Sequence, residues 1–254
     1  MLSHSSDIST APAIIQKTTD RDYYDQAVSV GDIPSFVNLI SFYVADWAKD
    51  RAHWFGNRTD VRVLELGAGS CAVSFLLSRE PWISEIVAGD ISAARVDQFR
   101  PFVSDLIGGD PAKIRFGEID MNERLPFPNH HFDLVVMDSA LHHSRAIWTT
   151  LSEVHRVLRP RGYFVAQREH YLAPLTSRLK MKRMLRSDEV RNGVSENAFL
   201  KEQYDYYLRA HGFEPRFRPV YPGPLFRSLF FLNGLAFAKY NLLARRANSA
   251  PRPL

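Results

Sequence analysis

Residues 61–69 read Val-Arg-Val-Leu-Glu-Leu-Gly-Ala-Gly, and this stretch decides the fold. A short run rich in valine and leucine predicts a buried strand, and the Gly-Ala-Gly sequence at its end predicts a tight turn. The residues after the turn have helical spacing, with Val73, Leu76 and Leu77 on one side and Pro81 just beyond them. The stretch therefore predicts a strand, a glycine turn and a helix in succession.

The same alternation continues along the chain. Apolar runs that predict strands are separated by segments that predict helices over Ala93–Val103 and Ile147–Leu158. The predicted strands are Glu85–Asp90, Ile114–Glu118, Asp133–Met137 and Gly162–Gln167. Strands that alternate with helices in this way form βαβ units around a parallel sheet with helices on both faces. We therefore expect a doubly wound α/β fold.

Helical segments and one strand are also predicted outside this alternation. Apolar residues between Asp20 and Trp54 fall at helical spacing, and Pro34 is placed to open a helix. Beyond residue 168 the pattern gives way to a basic stretch, followed by a helix over Leu200–Ala210 and a strand over Glu214–Val220. We expect residues 1–19 to form a flexible tail, residues 20–58 a helical N-terminal cap and residues 59–254 the main domain, with a basic insertion at 170–200.

The composition is that of a globular protein. The 254 residues carry a formal net charge of +4, and 45% of them are hydrophobic. A single cysteine, Cys71, excludes a disulfide framework and a cysteine-based zinc site, and it fits a reducing compartment. The first twenty residues have no basic region followed by an apolar run, so we expect no secretion signal. These features predict a cytoplasmic protein.

Charge is unevenly distributed along the chain. Residues 170–254 hold 15 basic and 6 acidic side chains, whereas residues 1–169 hold 17 basic and 22 acidic ones. This asymmetry favours an anionic partner, such as a phosphate-bearing small molecule, a lipid headgroup or a nucleic acid. A solvated basic face explains the same composition and stays open as the alternative.

The glycine turn predicts a nucleotide site. In an open parallel sheet, ligands bind at the carboxyl ends of the strands, where a glycine turn lets the backbone approach them closely. Asp90 ends the second predicted strand, 23 residues after Gly67, where a carboxylate can accept protons from both ribose hydroxyls. Asp120 follows the third strand in a similar manner.

Two nucleotide cofactors fit this layout. The spacing Gly67-x-Gly69-x-x-Ala72 matches the NAD fingerprint. However, Glu65 places a negative charge just before the turn, which disfavours a pyrophosphate and favours a cofactor with an ammonium group. S-adenosylmethionine has an ammonium and a sulfonium and no phosphate. The residues therefore favour S-adenosylmethionine over NAD.

At this point the chain resembles a known family, the class I methyltransferases that use S-adenosylmethionine, and within it the broad group that includes ubiquinone-pathway enzymes. The resemblance covers about residues 60–168, and residues 196–220 look like the family's penultimate helix and strand. Cys71 stands where the family usually has a third glycine. The matching stretches, in chain order, are Val63–Cys71, Ile86–Ser92, Gly117–Phe127, Phe132–His143 and Glu153–Gly162.

The resemblance implies a Rossmann-like sheet that is mostly parallel, with an antiparallel last strand through Tyr240–Ala244. It also implies that residues 59–254 form an S-adenosylmethionine-binding methyltransferase domain. The resemblance also implies the cofactor contacts. Glu65 would face the methionine ammonium through water, and Gly67, Ala68 and Gly69 would lie beneath the methionine and ribose. Asp90 would bind the ribose hydroxyls, Ile91 would contact the adenine, and Asp120 would accept from the adenine amine beside Met121. Asp138 and Ser139 would line the path to the sulfonium, and Tyr24 or Tyr23 would close over the cofactor.

Methyl transfer from a sulfonium mainly requires alignment of a nucleophile and exclusion of water. A hydroxyl or carbon-acid acceptor must also lose a proton, and a histidine can accept one near neutral pH. The candidates follow strands four and five, and they are His142, His143, Glu169 and His170. The resemblance includes Leu141-His142-His143 in members that act on different substrates, so we expect one of these two histidines to be structural. Either can be the base, and Glu169 and His170 stay open as alternatives. A metal site built on His130 and His131 lacks a third ligand, so we predict no metal.

The predicted reaction is methylation, most simply on oxygen, of a small molecule or of a glycan or lipid precursor. Basic and aromatic residues in the 170–200 insertion favour an anionic acceptor. Two alternatives stay open: a non-catalytic S-adenosylmethionine-binding interaction protein, and a nucleic-acid methyltransferase. The second is disfavoured because the chain has no recognisable nucleic-acid module and no Asn-Pro-Pro-aromatic sequence after strand four.

The most apolar segment is Leu225–Arg246, which Arg227 and Lys239 interrupt. A spanning helix would bury these charges, so we expect none. The resemblance implies a helix over Leu225–Leu232 and a last strand at the edge of the sheet, while an interfacial helix in contact with a membrane remains the alternative. The sequence does not indicate an oligomeric state.

Overall fold

The computed structural model describes residues 20–26, 33–221, 228, 232, 235–236 and 239–248. The predicted flexible tail and the predicted helix over Leu225–Leu232 lie outside these residues, apart from residues 228 and 232 of that helix. The described helices are α1 (Asp20–Gln26), α2 (Ile33–Ala48), α3 (Arg51–Phe55), α4 (Ala72–Ser78), α5 (Ala93–Ile107), α6 (Ile147–Val157), α7 (Ser177–Met184), α8 (Asp188–Arg191) and α9 (Lys201–Ala210). The strands are β1 (Val61–Leu66), β2 (Ile83–Asp90), β3 (Ile114–Glu118), β4 (Phe132–Asp138), β5 (Leu158–Gln167), β6 (Tyr171–Leu172), β7 (Phe199–Leu200), β8 (Phe213–Pro219) and β9 (Tyr240–Arg246).

Seven strands form one twisted sheet in the order β3-β2-β1-β4-β5-β9-β8. Strands β1 to β5 are parallel, and β9 runs antiparallel to both β5 and β8. This confirms the Rossmann-like, mostly parallel α/β fold with an antiparallel last strand. The carboxyl ends of β1, β2 and β4 therefore lie side by side, which is where ligands bind in sheets of this kind.

One detail of the last strand differs from expectation. The sequence predicted β9 at the edge of the sheet, but β9 lies between β5 and β8, and β8 is the edge strand. The composition explains the order. Residues Tyr240–Ala244 are buried and apolar apart from Asn241, which suits a strand with neighbours on both sides. Strand β8 contains Pro215 and Pro219 and exposes Glu214 and Arg216, and such residues belong at a sheet edge.

Two apolar layers cover the sheet. On one face α2 and α4 bury Trp47, Val73 and Phe75, and on the other face α6 and α9 bury Leu151 and Leu208. Helix α2 begins with Ile33 and has Pro34 in its first turn, as the sequence predicted. No helix among the described residues is long and apolar enough to cross a membrane.

Candidate active site

A cavity of about 710 Å³ opens at the carboxyl ends of β1, β2 and β4. A volume of this size suits a small-molecule or cofactor site. The structure brings most of the predicted binding residues together on its wall. Those that line it are Gly67, Ala68, Gly69, Asp90, Ile91, Asp120, Met121, Asp138, Ser139, Tyr24 and one of the candidate catalytic groups, His143.

The glycine turn forms the floor of this cavity. Gly67 has φ +70°, and a Cβ added there would stand 2.5 Å from the Cβ of Ala140. Gly69 has φ +48°, and its N–H donates to Oδ2 of Asp90 at 2.7 Å. Cys71, which replaces the third glycine, has φ +61° and is fully buried at the start of α4. This position therefore keeps the left-handed conformation that glycine adopts without strain.

Asp90 is held at the end of β2 by two backbone donors. Its Oδ2 accepts from Gly69 and its Oδ1 accepts from the N–H of Ser92 at 2.9 Å. Each carboxylate oxygen has a second acceptor position, which leaves both able to accept from a ligand. Burial raises the pKa of Asp90.

Glu65 lies beneath the turn and does not line the cavity. Its carboxylate is fully buried and accepts from both the N–H, at 3.0 Å, and the hydroxyl of Ser74 in α4. Burial raises the pKa of Glu65 to about 8. A contact with a methionine ammonium stays a prediction, because the carboxylate is directed toward α4.

Asp120 is oriented by its neighbours. Its Oδ1 accepts from the backbone N–H and the side-chain amide of Asn122, both at 2.8 Å. Its Oδ2 pairs with Arg145 at 2.8 Å. The carboxylate is thus fixed beside Met121 on the cavity wall.

Asp138 pairs with an arginine that the sequence reasoning missed. Arg168 donates to both carboxylate oxygens at 2.7 and 2.6 Å, and Gln167 donates to Oδ1 at 3.0 Å. Arg168 has φ +57°, and its guanidinium lies 5.0 Å from the centre of the Phe36 ring. A strained backbone at a cavity wall often marks a functional position. The only sequence signal was its place directly after β5.

Glu169 supports the segment that carries His142 and His143. One oxygen accepts from the N–H groups of Ala140 and Leu141, at 3.2 and 3.1 Å, and the other accepts from the N–H of His142 at 3.0 Å. That second oxygen also lies 2.7 Å from Nδ1 of His142. Burial lowers the pKa of His142. Burial opposes ionisation of Glu169, but the charge of His142 and these donors hold its pKa below the ordinary value.

His143 is the candidate histidine that reaches the cavity. Its Nδ1 lies 2.9 Å from the carbonyl oxygen of Ser195 and 3.1 Å from Oε2 of Glu196. The hydroxyl of Tyr24 lies 3.3 Å from its ring nitrogens. Although burial favours the neutral form, the Glu196 carboxylate and the Ser195 carbonyl raise the pKa of His143.

Glu196 was also missed, since the sequence placed it only within the 170–200 insertion. Its Oε1 lies 3.1 Å from Nδ1 of His170, and His170 stacks on His142 with ring centres 4.0 Å apart. Burial opposes ionisation of Glu196, but His143 and His170 hold its pKa well below the ordinary range. His170 and His142 themselves do not line the cavity.

These side chains also have the residue types of a metal site. Ligand-type atoms of His142, His143 and Glu196 lie within 4.8 Å of one another. Nδ1 of His142 binds Glu169 and Nδ1 of His143 binds Ser195, whereas Oε2 of Glu196 makes no hydrogen bond with the described residues. We interpret the cluster as an acid–base group in which the Glu196 carboxylate lies at ion-pair distance from His143 and His170.

The charges on the wall indicate which ligands fit. Five acidic side chains line the cavity, whereas Arg95 and Arg168 are its basic ones among the described residues. The excess of negative charge favours a ligand with positive charges over one with a pyrophosphate. The acidic side chains are Asp20, Asp90, Asp120, Asp138 and Glu189.

Known proteins share this sequence pattern and fold. Residues 64–166 match the model of the methyltransferase domain family. A ubiquinone/menaquinone biosynthesis C-methyltransferase, UbiE, of Coxiella burnetii is 33% identical over 132 residues, which is 50% of this chain and 51% of that protein. The chain thus matches about half the length of this curated relative.

Solved structures share the fold as well, among them the following two. The YcgJ protein of Bacillus subtilis superimposes with a TM-score of 0.57 and 18% identity, covering 85% of this chain and all of YcgJ. An S-adenosylmethionine-dependent methyltransferase of Mesorhizobium loti gives a TM-score of 0.55 and 22% identity, covering 80% of this chain and 98% of that protein.

Proposed function

We propose that this chain, whose residues 64–166 match the methyltransferase domain family, is a class I S-adenosylmethionine-dependent methyltransferase. It transfers a methyl group to a small-molecule acceptor whose reacting atom must lose a proton, with His143 as the base. The observation that carries the proposal is the position of His143. His143 is the candidate base that lines the cavity, and its Nδ1 lies beside the Ser195 carbonyl and the Glu196 carboxylate.

The residues present fit S-adenosylmethionine. A side chain at Gly67 would collide with Ala140, so only a glycine lets the turn pack against the segment after β4 at the cavity floor. Asp90 has free acceptor positions for the two ribose hydroxyls, and the acidic wall suits the ammonium and sulfonium charges. Ile91 and Met121 offer apolar surface for the adenine, beside Asp120. Tyr24 and Tyr23, from α1, would cover the cofactor.

When bound, the cofactor supplies a methyl group on a positively charged sulfur, and an acceptor atom in line with the carbon–sulfur bond takes the methyl group while the sulfur leaves as a neutral thioether. The chain's own part is to hold the acceptor and remove its proton. His143 would accept that proton at Nε2, because Nδ1 is already engaged with Ser195 and Glu196. The Glu196 carboxylate then stabilises the imidazolium that forms.

The remaining candidate groups would act as positioning residues. Glu169 binds three consecutive backbone N–H groups and thereby fixes the turn that carries His143. His142 is buried and bound to Glu169, and His170 holds the other oxygen of Glu196. Asp138, with Ser139 beside it, would line the path to the sulfonium, where Arg168 fixes the carboxylate.

We propose an acceptor that is a glycan or lipid precursor, methylated on oxygen. The basic insertion at 170–200 contributes Glu189 to the wall and Ser195 and Glu196 to His143, which supports a role for this segment in acceptor choice. A carbon acid would use the same base, and the C-methyltransferase among the relatives makes it the main competing acceptor. The single buried cysteine supports a cytoplasmic site of reaction.

The test uses S-adenosylmethionine labelled in the methyl group and separate polar and lipid extracts as acceptor pools. We expect a labelled product from the wild type, at least 100-fold slower formation by His143→Gln, and unchanged binding of S-adenosylhomocysteine to that variant by calorimetry. The methyl chemical shift of the purified product distinguishes O-methyl from C-methyl. Binding of S-adenosylmethionine with no turnover in any pool would instead indicate a non-catalytic binding protein.

A further inference from the structure

We infer that the outer face of α7 binds the surface of an anionic lipid bilayer. The face includes side chains of α7 and of the residues that flank it, and we call it the basic leucine patch. Its members are Leu175, Leu179 and Leu185 together with Arg178, Lys182, Arg183 and Arg186. The inference goes beyond the proposed methyl transfer and does not depend on it.

The inner face of α7 is already used by the fold. Met184 is buried, and Nζ of Lys180 donates to the carbonyl oxygen of Tyr171 at 2.8 Å. The N–H of Leu175 donates to the carbonyl oxygen of Leu235 at 2.9 Å, and the hydroxyl of Thr176 donates to Ala236 at 3.0 Å. These contacts fix the helix on the domain and leave the opposite face toward solvent.

That opposite face is unusually apolar for a solvated helix. Leu175, Leu179 and Leu185 are 73%, 61% and 64% exposed, and the neighbouring Leu235 is 50% exposed. Single exposed leucines need no explanation, but several on one short segment mark an interaction site. The sequence reasoning saw the charges of this segment and missed its leucines, because their exposure depends on which face α7 turns inward.

The charges of the patch have one sign. Residues 170–187 hold five basic side chains and no acidic one. In the described part of the chain, Arg178, Lys182, Arg183 and Arg186 form no ion pair. The region therefore presents unneutralised positive charge beside apolar side chains.

This combination identifies the partner as an anionic bilayer. Leucines enter the boundary between headgroups and acyl chains, while lysine and arginine remain at the anionic headgroups. A nucleic acid is a poorer fit, since the patch has no aromatic side chain on which bases could stack. A second copy is disfavoured because it would bring two sets of like charges together.

The patch is also connected to the cavity. Glu189, three residues after Arg186, lies on the cavity wall, and Glu196 contacts His143. A bilayer bound at α7 would therefore lie beside the segment that borders the active site. An amphiphilic acceptor could pass from the bilayer to the cavity with little exposure to water.

The test is flotation of the full-length protein with vesicles of phosphatidylglycerol and phosphatidylcholine, and with vesicles of phosphatidylcholine alone. We expect binding to the first and little binding to the second. Each basic residue near an anionic surface contributes about fivefold to partitioning. Replacing Arg178, Lys182, Arg183 and Arg186 with glutamine should therefore reduce partitioning at least 100-fold, and high salt should reduce wild-type binding similarly. Leu179→Gln with Leu185→Gln should weaken binding about tenfold or more.

Matched controls lie elsewhere on the surface. Arg124→Gln with Arg161→Gln removes exposed charges, and Phe102→Gln with Leu106→Gln removes exposed apolar side chains of α5. Both should bind vesicles as the wild type does, and circular dichroism should show every variant folded. Equal flotation of the patch variants and the controls would overturn the inference. Absent flotation of the wild type, or tight binding to an oligonucleotide in place of the anionic vesicles, would also overturn it.

Discussion

Oε2 of Glu196 lies 3.1 Å from Nδ1 of His143. The carbonyl oxygen of the preceding residue, Ser195, accepts from the same nitrogen, although Ser195 lies 52 positions after His143 in the chain. This contact gives the predicted base a buried counter-charge. It also explains why the pKa of His143 is raised in spite of burial, since the carboxylate stabilises the imidazolium.

Glu196→Gln should lower the pKa of His143, because it removes the negative charge that favours the protonated ring. Long-range proton–nitrogen NMR of the free protein can follow the titration, with His143→Gln to assign the signal. A base acts in its neutral form, so activity of the wild type should rise with pH through a pKa above 6.5. In Glu196→Gln this rise should move to lower pH.

Asp188→Asn is the control for that titration, since it removes an exposed acidic group of the same insertion that pairs with Arg191. It should leave the His143 titration unchanged. An unshifted His143 signal in Glu196→Gln would show that the carboxylate does not govern the base.

Replacement of Asp90 should weaken cofactor binding. Asp90→Ala leaves the N–H groups of Gly69 and Ser92, and the ribose hydroxyls, without their acceptor. We expect a loss of about 1–3 kcal/mol in the binding of S-adenosylhomocysteine, measured by calorimetry. Asp90→Asn keeps one acceptor oxygen and should lose less. Asp97→Asn, on the exposed face of α5, should bind as the wild type does. Unchanged affinity in both Asp90 variants would remove this carboxylate from the site.

The sequence placed the cavity because strand ends determine it. Gly67, Asp90 and Asp138 each follow an apolar run directly, and parallel strands bring such ends together. The predicted strand bounds agree best with the structure where the apolar pattern stops at a glycine or a charged residue, as in β1 and β3. They were less accurate for β5, which begins at Leu158 although Gly162 was predicted. There the chain passes directly from α6 into the strand.

The contacts between distant segments of the site could not be predicted from the sequence. Glu196 and Tyr24 reach His143 from distant segments, and no local period fixes such a contact. The direction of Glu65, by contrast, follows from the strand period. Side chains of a strand alternate between faces, so Glu65 shares the face of Val61 and Val63 and meets α4.

Loss of the Glu169 carboxylate should lower the stability of the fold as well as the activity. Three backbone N–H groups and Nδ1 of His142 depend on it, and all are buried. A buried donor left without its acceptor costs about 1–3 kcal/mol, and four donors lose theirs here, so we expect Glu169→Ala to lower the free energy of unfolding by about 3 kcal/mol or more in urea titrations. Glu169→Gln keeps one acceptor and should lose less.

Because the native pKa of Glu169 lies below its unfolded value, its contribution should be present above about pH 4.3 and disappear as the pH falls through the native pKa. Glu123→Ala, an exposed position, is the matched control. Equal stability of Glu169→Ala and that control would show that the turn does not depend on this carboxylate.

Glu65 should make stability depend on pH in the opposite direction. Burial raises the pKa of Glu65 in the native protein to about 8, whereas its pKa in the unfolded chain is about 4.3. As the pH rises between these values, the unfolded state releases the proton first, so the wild type should lose stability over this range. Glu65→Gln cannot ionise, and its melting temperature should fall less from pH 5 to pH 8. A difference of about 1 kcal/mol corresponds to about 2–4 °C in a chain of this size. Glu123→Gln should keep the wild-type pH dependence. If Glu65→Gln keeps it too, the carboxylate is already ionised in the native protein, and a direct role with the cofactor ammonium becomes the better explanation.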